Sequence, residues 1–208
     1  MFSKILKRHS RISFDDPTHA IILLPGRDIP AEAMMQNFIS LVDMPRMVFY
    51  CLEPKIEWYP IPNGVDNQSK SVKGLSENLP IIRNCIMELL VEENIPVSNT
   101  ILIGFSAGGV IALGLACNFS DEYKLVISHS GAILEPGCLK ECEVNTKFLL
   151  YHRKDDFCFD WDERYVPMKN ALVNQGYNVF FKEDLYGNHT IYKNDVEEIQ
   201  NFIFQEIS

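Results

Sequence analysis

The chain has 208 residues, of which 47% are hydrophobic and 23% charged, and its formal net charge is −9. That length and apolar share suit one domain with a sizeable core, and the negative balance lacks the broad basic field that a phosphate backbone requires, so nucleic acid is excluded as an expected partner. No run approaches the roughly 18 consecutive apolar residues of a membrane span, so no integral membrane segment is expected.

The chain therefore reads as a single domain over residues 1–208, with residues 1–18 as an N-terminal arm. That arm holds the basic cluster Lys4, Lys7, Arg8, His9 and Arg11 and no apolar run of signal-peptide length, which reads as a solvated segment. Six cysteines are scattered without C-x-x-C spacing, Cys138 and Cys142 among them as unrelated loop thiols. Reduced thiols in the cytoplasm are the expectation.

Beyond the arm, short β-branched apolar runs alternate with longer segments of helical period, the pattern of a largely parallel sheet covered by helices. Residues 20–24 (AIILL) form the first expected strand, stopped by Pro25 and Gly26, and residues 31–42 place Met34, Phe38, Leu41 and Val42 on one helical face. A second strand spans 47–52. The Pro- and Asn-rich stretch 53–70 reads as a long loop, and the next helix is placed from about Glu77, with Pro80 tolerated in its first turn. Strand 100–103 leads into Gly104-Phe105-Ser106-Ala107-Gly108 and a helix to about Cys117. Strand 125–130, an irregular insertion 131–145, strand 147–152, a helix near 161–175 closed by Gly176, and strand 178–185 follow. Gly187-Asn188-His189 then opens a last helix.

The pentapeptide 104–108 matches G-x-S-x-G. Its glycines permit a sharp strand-to-helix turn that lifts a serine hydroxyl clear of the sheet, and its place between an apolar strand and an apolar helix is the context that motif requires. No lysine follows as in a P-loop. Ser106 is thus the candidate nucleophile, and it needs a base and an acid later in the chain. His9 and His19 precede it. His129 and His152 fall within or at the ends of strands, where a structural histidine is the plainer reading. His189 lies in a loop at the C-terminal edge of the sheet and is the candidate base. Asp155 and Asp156 both qualify as the acid after the strand ending near His152, with Asp156 favoured; Asp160 and Asp162 read as loop and helix N-cap residues.

At these residues the chain resembles the phospholipase/carboxylesterase family of α/β-hydrolases, which includes acyl-protein thioesterases and bacterial carboxylesterases. The resemblance runs over about 20–206, carried by ILIGFSAGGVIALGLA (101–116) and by LLYHRKDDFCFDWDERYVPMKNALVNQGYNVFFKEDLYGNHTI (149–191). It implies an α/β class protein of α/β-hydrolase fold, with a mostly parallel central sheet, helices on both faces and no separate cap domain. The implied activity is cleavage of carboxylic esters or thioesters in a small-molecule or acylated substrate. Within the family pattern the acid falls on Asp156 and the base on His189, and the backbone N–H groups of Arg27 and Ala107 form the oxyanion hole. Trp58 falls near an aromatic that lines the acyl site in relatives and is a candidate substrate-binding residue, a surface-covering tryptophan being the equal alternative.

The sequence departs from that family in two places: Pro25-Gly26-Arg27 stands where the first strand usually ends in His-Gly, and Ala107 stands where Gln is common. No cofactor is expected, and no metal, because no His, Cys and Asp cluster shows ligand spacing. Two alternatives stay open. One is a lysophospholipase or dienelactone-hydrolase-like enzyme with the same triad, in which Arg27 would pair with a substrate carboxylate or phosphate; a solvated loop arginine is the plainer role for it. The other is an inactive hydrolase-fold binding module. The mouth of the site is expected from residues 53–70 and 132–145, and the oligomeric state is left open, a homodimer included.

Overall fold

Ile, Leu and Val fill the central expected strands so completely that no polar face remains, and such strands have to be covered on both sides. The computed structural model describes residues 2–11, 16–61 and 68–207, and among these seven strands form one sheet in the order β1-β3-β2-β4-β5-β6-β7. The strands are β1 (Phe2–His9), β2 (His19–Leu24), β3 (Met47–Pro54), β4 (Thr100–Phe105), β5 (Leu125–His129), β6 (Lys147–Arg153) and β7 (Asn178–Asp184). All neighbours pair in parallel except β1 with β3.

Residues of alternate parity in the strands feed two cores. Ala20, Ile22 and Leu24 of β2 pack with α2 (Gln68–Glu92), α3 (Ala107–Asn118) and α4 (Val166–Asn174), whereas Ile21 and Leu23 pack with α1 (Ala31–Asn37) and α5 (Lys193–Ile207). The result is a three-layer α/β domain with the α/β-hydrolase topology, helices on both faces and no separate cap. The chain runs from β2 to β3 on one side and then crosses back to β4 on the other side of β2, so a crevice opens at the carboxyl ends of β2 and β4.

Three expectations are corrected. The N-terminal stretch is not a solvated arm over residues 2–9: it pairs antiparallel with β3, Leu6 opposite Cys51, and protects an edge that would otherwise expose a row of backbone donors and acceptors. Phe2 packs edge-on against Trp58 at 6.1 Å, while Lys4 and Lys7 point outward to Glu32 and Glu93. Alternating charge and apolar side chains made this strand read as a basic tail.

The helix expected from Glu77 starts at Gln68, which puts Pro80 in its interior. Leu79, Ile82, Ile86 and Leu90 are buried, and that apolar face holds the helix together although Pro80, on its exposed side, removes one backbone hydrogen bond. The central part of the expected loop, 62–67, lies outside the described residues. The last helix starts at Lys193 rather than at the Gly187 turn. Its start is set by Asp195, whose carboxylate accepts the Tyr192 N–H at 2.8 Å in the manner of a capping box.

The helix after Ser106 is apolar all round, with residues 107–116 buried, and it enters very close to the sheet. A Cβ on Gly108 would lie 1.9 Å from the Leu24 carbonyl oxygen, and one on Gly104 would lie 2.2 Å from the Gly108 carbonyl oxygen. Backbone cannot yield there as a flexible side chain can. Gly108→Ala is expected to lower stability by about 3 kcal/mol or more, read as a lower urea midpoint at unchanged slope; a midpoint within error of the parent would contradict this packing.

Candidate active site

Segments that follow the carboxyl ends of β2 to β7 converge on one cleft of about 760 Å³. Ser106 sits between β4 and α3 with φ 54° and ψ −120°, a conformation that L side chains seldom adopt. The turn is tied on both sides: the Ser106 N–H donates to the His129 carbonyl at 2.9 Å, and its own carbonyl accepts from Val110 at 3.1 Å. Such a residue stores about 1–3 kcal/mol of strain. The strain holds the half-buried hydroxyl at the cleft instead of within the sheet.

His189 reaches the same cleft from the loop after β7. Its Nδ1 lies 2.8 Å from Asp156 Oδ2 and 3.0 Å from Oδ1, and its ring packs on Phe105 at 5.0 Å between centroids. The Asp156 side chain has no exposure. Burial pushes its carboxyl up, but hydrogen bonds from His189 and from the Phe159 and Cys158 N–H groups outweigh that and hold it down at about 2. An ionised Asp156 accepts a hydrogen bond from the Nδ1–H of His189, which leaves Nε2 as the lone-pair nitrogen of the neutral ring.

Asp155, the other candidate acid, engages the backbone of the same loop. Its two oxygens accept the Gly187 N–H at 3.0 Å and the Asn188 N–H at 2.8 Å. It therefore clamps the backbone that carries His189. A buried network supports the loop from below: Arg153 donates to the Thr190 carbonyl at 2.7 Å and to Asp195 at 2.6 Å. Asp195 also takes bonds from Tyr151 and from His129 Nε2. Burial raises the Asp195 carboxyl, yet His129, Arg153 and the Tyr192 N–H hold it well below the ordinary carboxylate range. The histidines read as structural are so placed: His129 is fully buried in this network, and His152 bonds the Phe159 carbonyl at 2.8 Å and stacks on Tyr165.

Ala107 opens α3, so its N–H has no partner within the helix. Arg27 lies in a tight turn closed by the Ile29 N–H on the Gly26 carbonyl at 3.3 Å, with Asp28 at φ 58°. Among the described residues the Arg27 N–H makes no backbone hydrogen bond. Both residues line the cleft. Trp58 lies beside the cleft: its indole is buried, donates to the Pro25 carbonyl at 2.7 Å and braces the loop that carries Arg27, and the residue lines an adjoining hollow with Arg27 and Ala107.

The cleft walls come from Tyr59 and Ile61 on one side and Leu134 on another, inside the stretches expected to form the mouth, and from Gln68 and Ser71 of the first turn of α2, which was not expected to be helical there. A third wall, Cys158 to Arg164, was not expected. Asp160 caps its turn by accepting the Asp162 and Glu163 N–H groups, and that N-cap was the signal for where it begins. Folding also gathers Asp156, Cys158 and His189 with one ligand atom each inside 4.8 Å, a set able to hold a metal ion that no sequence spacing announced. Burial raises the Cys158 thiol, which disfavours the thiolate such binding needs, and Asp156 and His189 are already bonded to each other.

Fold and cleft together define an α/β-hydrolase. The chain belongs to the phospholipase/carboxylesterase family, whose model matches residues 16–207, and is thus an esterase-type hydrolase. No curated protein sequence matches it. Among solved structures it is similar to the esterase PE8, with a TM-score of 0.87 and 19% identity over 97% of this chain and 98% of that one. It is also similar to YahD, solved with malic acid, with a TM-score of 0.82 and 14% identity over 99% and 100%. Zea mays acyl-protein thioesterase 2 superposes with a TM-score of 0.77 and 16% identity over 100% of both chains. Among the described residues no helix is long and apolar enough to cross a membrane.

The depressed Asp156 carboxyl has a measurable consequence. Because its folded-state value lies below the unfolded one, its contribution is present above pH 4 and is lost as pH falls from about 4 to about 2. The contribution is on the order of 2 kcal/mol. The stability difference between parent and Asp156→Asn in urea titrations is expected to shrink by about that amount between pH 5 and pH 2; a difference independent of pH would show that Asp156 is not held ionised.

Proposed function

We propose that the chain cleaves carboxylic ester or thioester bonds by acyl transfer through Ser106, His189 and Asp156. The observation that carries this is the His189 Nδ1 contact with the buried Asp156 carboxylate at 2.8 Å, in a cleft that Ser106 also lines. In the first step Ser106 Oγ attacks the carbonyl carbon while His189 Nε2 takes its proton. The alcohol or thiol leaves with that proton, giving an acyl-serine. Water, deprotonated by the same Nε2, then attacks the acyl carbon, and Ser106 departs with the proton returned to it.

Asp156 holds the imidazole in the required tautomer and stabilises its charged form. The Arg27 and Ala107 N–H groups receive the developing oxyanion, each such donor being worth about 3 kcal/mol. Orphaned N–H groups at a helix start and a tight turn support that assignment. Among the described residues no cap covers the cleft, which favours short acyl groups or an acylated partner presented from outside. The malic acid in the YahD structure is a small polar acid of that size class. Six unpaired cysteines support a reducing compartment, the cytoplasm, as the place of action.

Ser106→Ala is expected to lower kcat for 4-nitrophenyl butyrate and for a butyryl thioester by at least about 10³-fold without loss of folding; unchanged turnover would sink the reading. Asp155→Ala tests the clamp on the histidine loop. It should lower kcat about 10- to 100-fold while the far-UV spectrum is retained, whereas parent-like kinetics would show that the loop holds its place without this carboxylate.

A further inference from the structure

The acyl-transfer chemistry leaves two guanidinium groups beside the cleft without a task. Arg27 comes from the turn after β2 and Arg164 from the turn before α4, and both line the cavity that holds Ser106 and His189. The chain carries 28 acidic residues against 19 lysines and arginines, so its cations find carboxylates easily. Arg11 meets Asp43, Arg83 meets Asp121, and Arg153 meets Asp195. Among the described residues neither Arg27 nor Arg164 forms an ion pair; Arg164 has only the Gln68 amide oxygen, at 3.4 Å.

The charge of Arg27 is felt inside the cleft. Burial pushes the Tyr59 hydroxyl and the Cys158 thiol up, and Arg27 is the charge that opposes this at both cleft-wall groups. Asp156 is buried and bonded to His189, and among the described residues that line the cleft Glu163 is the one carboxylate, bonded to neither arginine. Two guanidinium groups thus stand open at the reacting centre of a chain that is negative overall.

We propose that Arg27 and Arg164 form an anion subsite and that the substrate is a small ester or thioester carrying a carboxylate close to the scissile carbonyl. A planar carboxylate matches the guanidinium fork, and two forks on separate elements fix its orientation. The inference rests on the ester-cleaving reading of Ser106. The carboxylate belongs either to the acyl portion or to the alcohol portion, and paired substrates separate these sources.

The test measures kcat/KM, corrected for spontaneous hydrolysis, for mono-4-nitrophenyl glutarate against 4-nitrophenyl valerate, and for 4-butyryloxybenzoate against its methyl ester. One of the two charged-to-neutral ratios should be at least about tenfold and should fall as salt rises from about 20 to 500 mM, since the rim is open to solvent. Arg164→Met and Arg27→Met should each lower that ratio by about fivefold or more, chiefly through KM, while Lys73→Met, which removes a cation outside the cleft, keeps it. Ratios near one in both pairs, or ratios that neither arginine variant moves, overturn the subsite while good turnover of the neutral esters leaves the hydrolase reading standing. No turnover of any of the four esters overturns both.

Discussion

A carboxylate with no exposure to water stays ionised only if its surroundings replace the water, and at Asp156 they do. Two backbone N–H groups, of Cys158 and Phe159, and one imidazole N–H surround it. The rest of the site follows from that cluster. It decides which nitrogen of His189 carries the proton, and it anchors the loop after β6 to the loop after β7 across the sheet edge. It also turns the segment that continues into the third wall of the cleft. Parallel pairing of β6 with β7, down to Arg153 opposite Asp184, brings the two loops out at one level.

The second constraint is the approach of α3 to the sheet. Gly104 and Gly108 let a helix start within contact distance of β2 and β4, and the chain can then leave β4 only through the unusual backbone conformation of Ser106. Local strain is offset by a wholly apolar helix whose residues 107–116 are buried. Burial of an isoleucine or leucine side chain contributes about 1.5–3 kcal/mol each, so the helix outweighs the strained residue several times over. Stability elsewhere in the fold thus holds one serine in a conformation it would not adopt unaided.

Much of this was legible in the sequence, and for physical reasons. Continuous β-branched runs can only be buried strands, G-x-S-x-G between strand and helix can turn only one way, and the loop after the last strand of a parallel sheet must lie at its carboxyl edge. Ser106, Asp156 and His189 were accordingly named from chain order and spacing, and the structure brings all three to one place. The failures also have causes. Phe2–His9 was read as a tail because Lys4, Lys7 and Arg8 mask a strand in which only Phe2 and Leu6 are even partly buried. Pro80 was read as a helix start because interior proline is costly, yet the buried face of α2 tolerates it. The Arg153–Asp195–His129 network joins residues 24 and more positions apart, and no local pattern reports contacts of that kind.

The central claim is that Ser106 is made nucleophilic by His189, which Asp156 holds. Labelling of the folded protein with a fluorophosphonate, followed by peptide mapping by mass spectrometry, tests it most directly. The account predicts a single adduct on Ser106 in the parent protein and slow or absent labelling of that residue in His189→Ala. An adduct on another serine, or Ser106 labelling at the parent rate without His189, would contradict it.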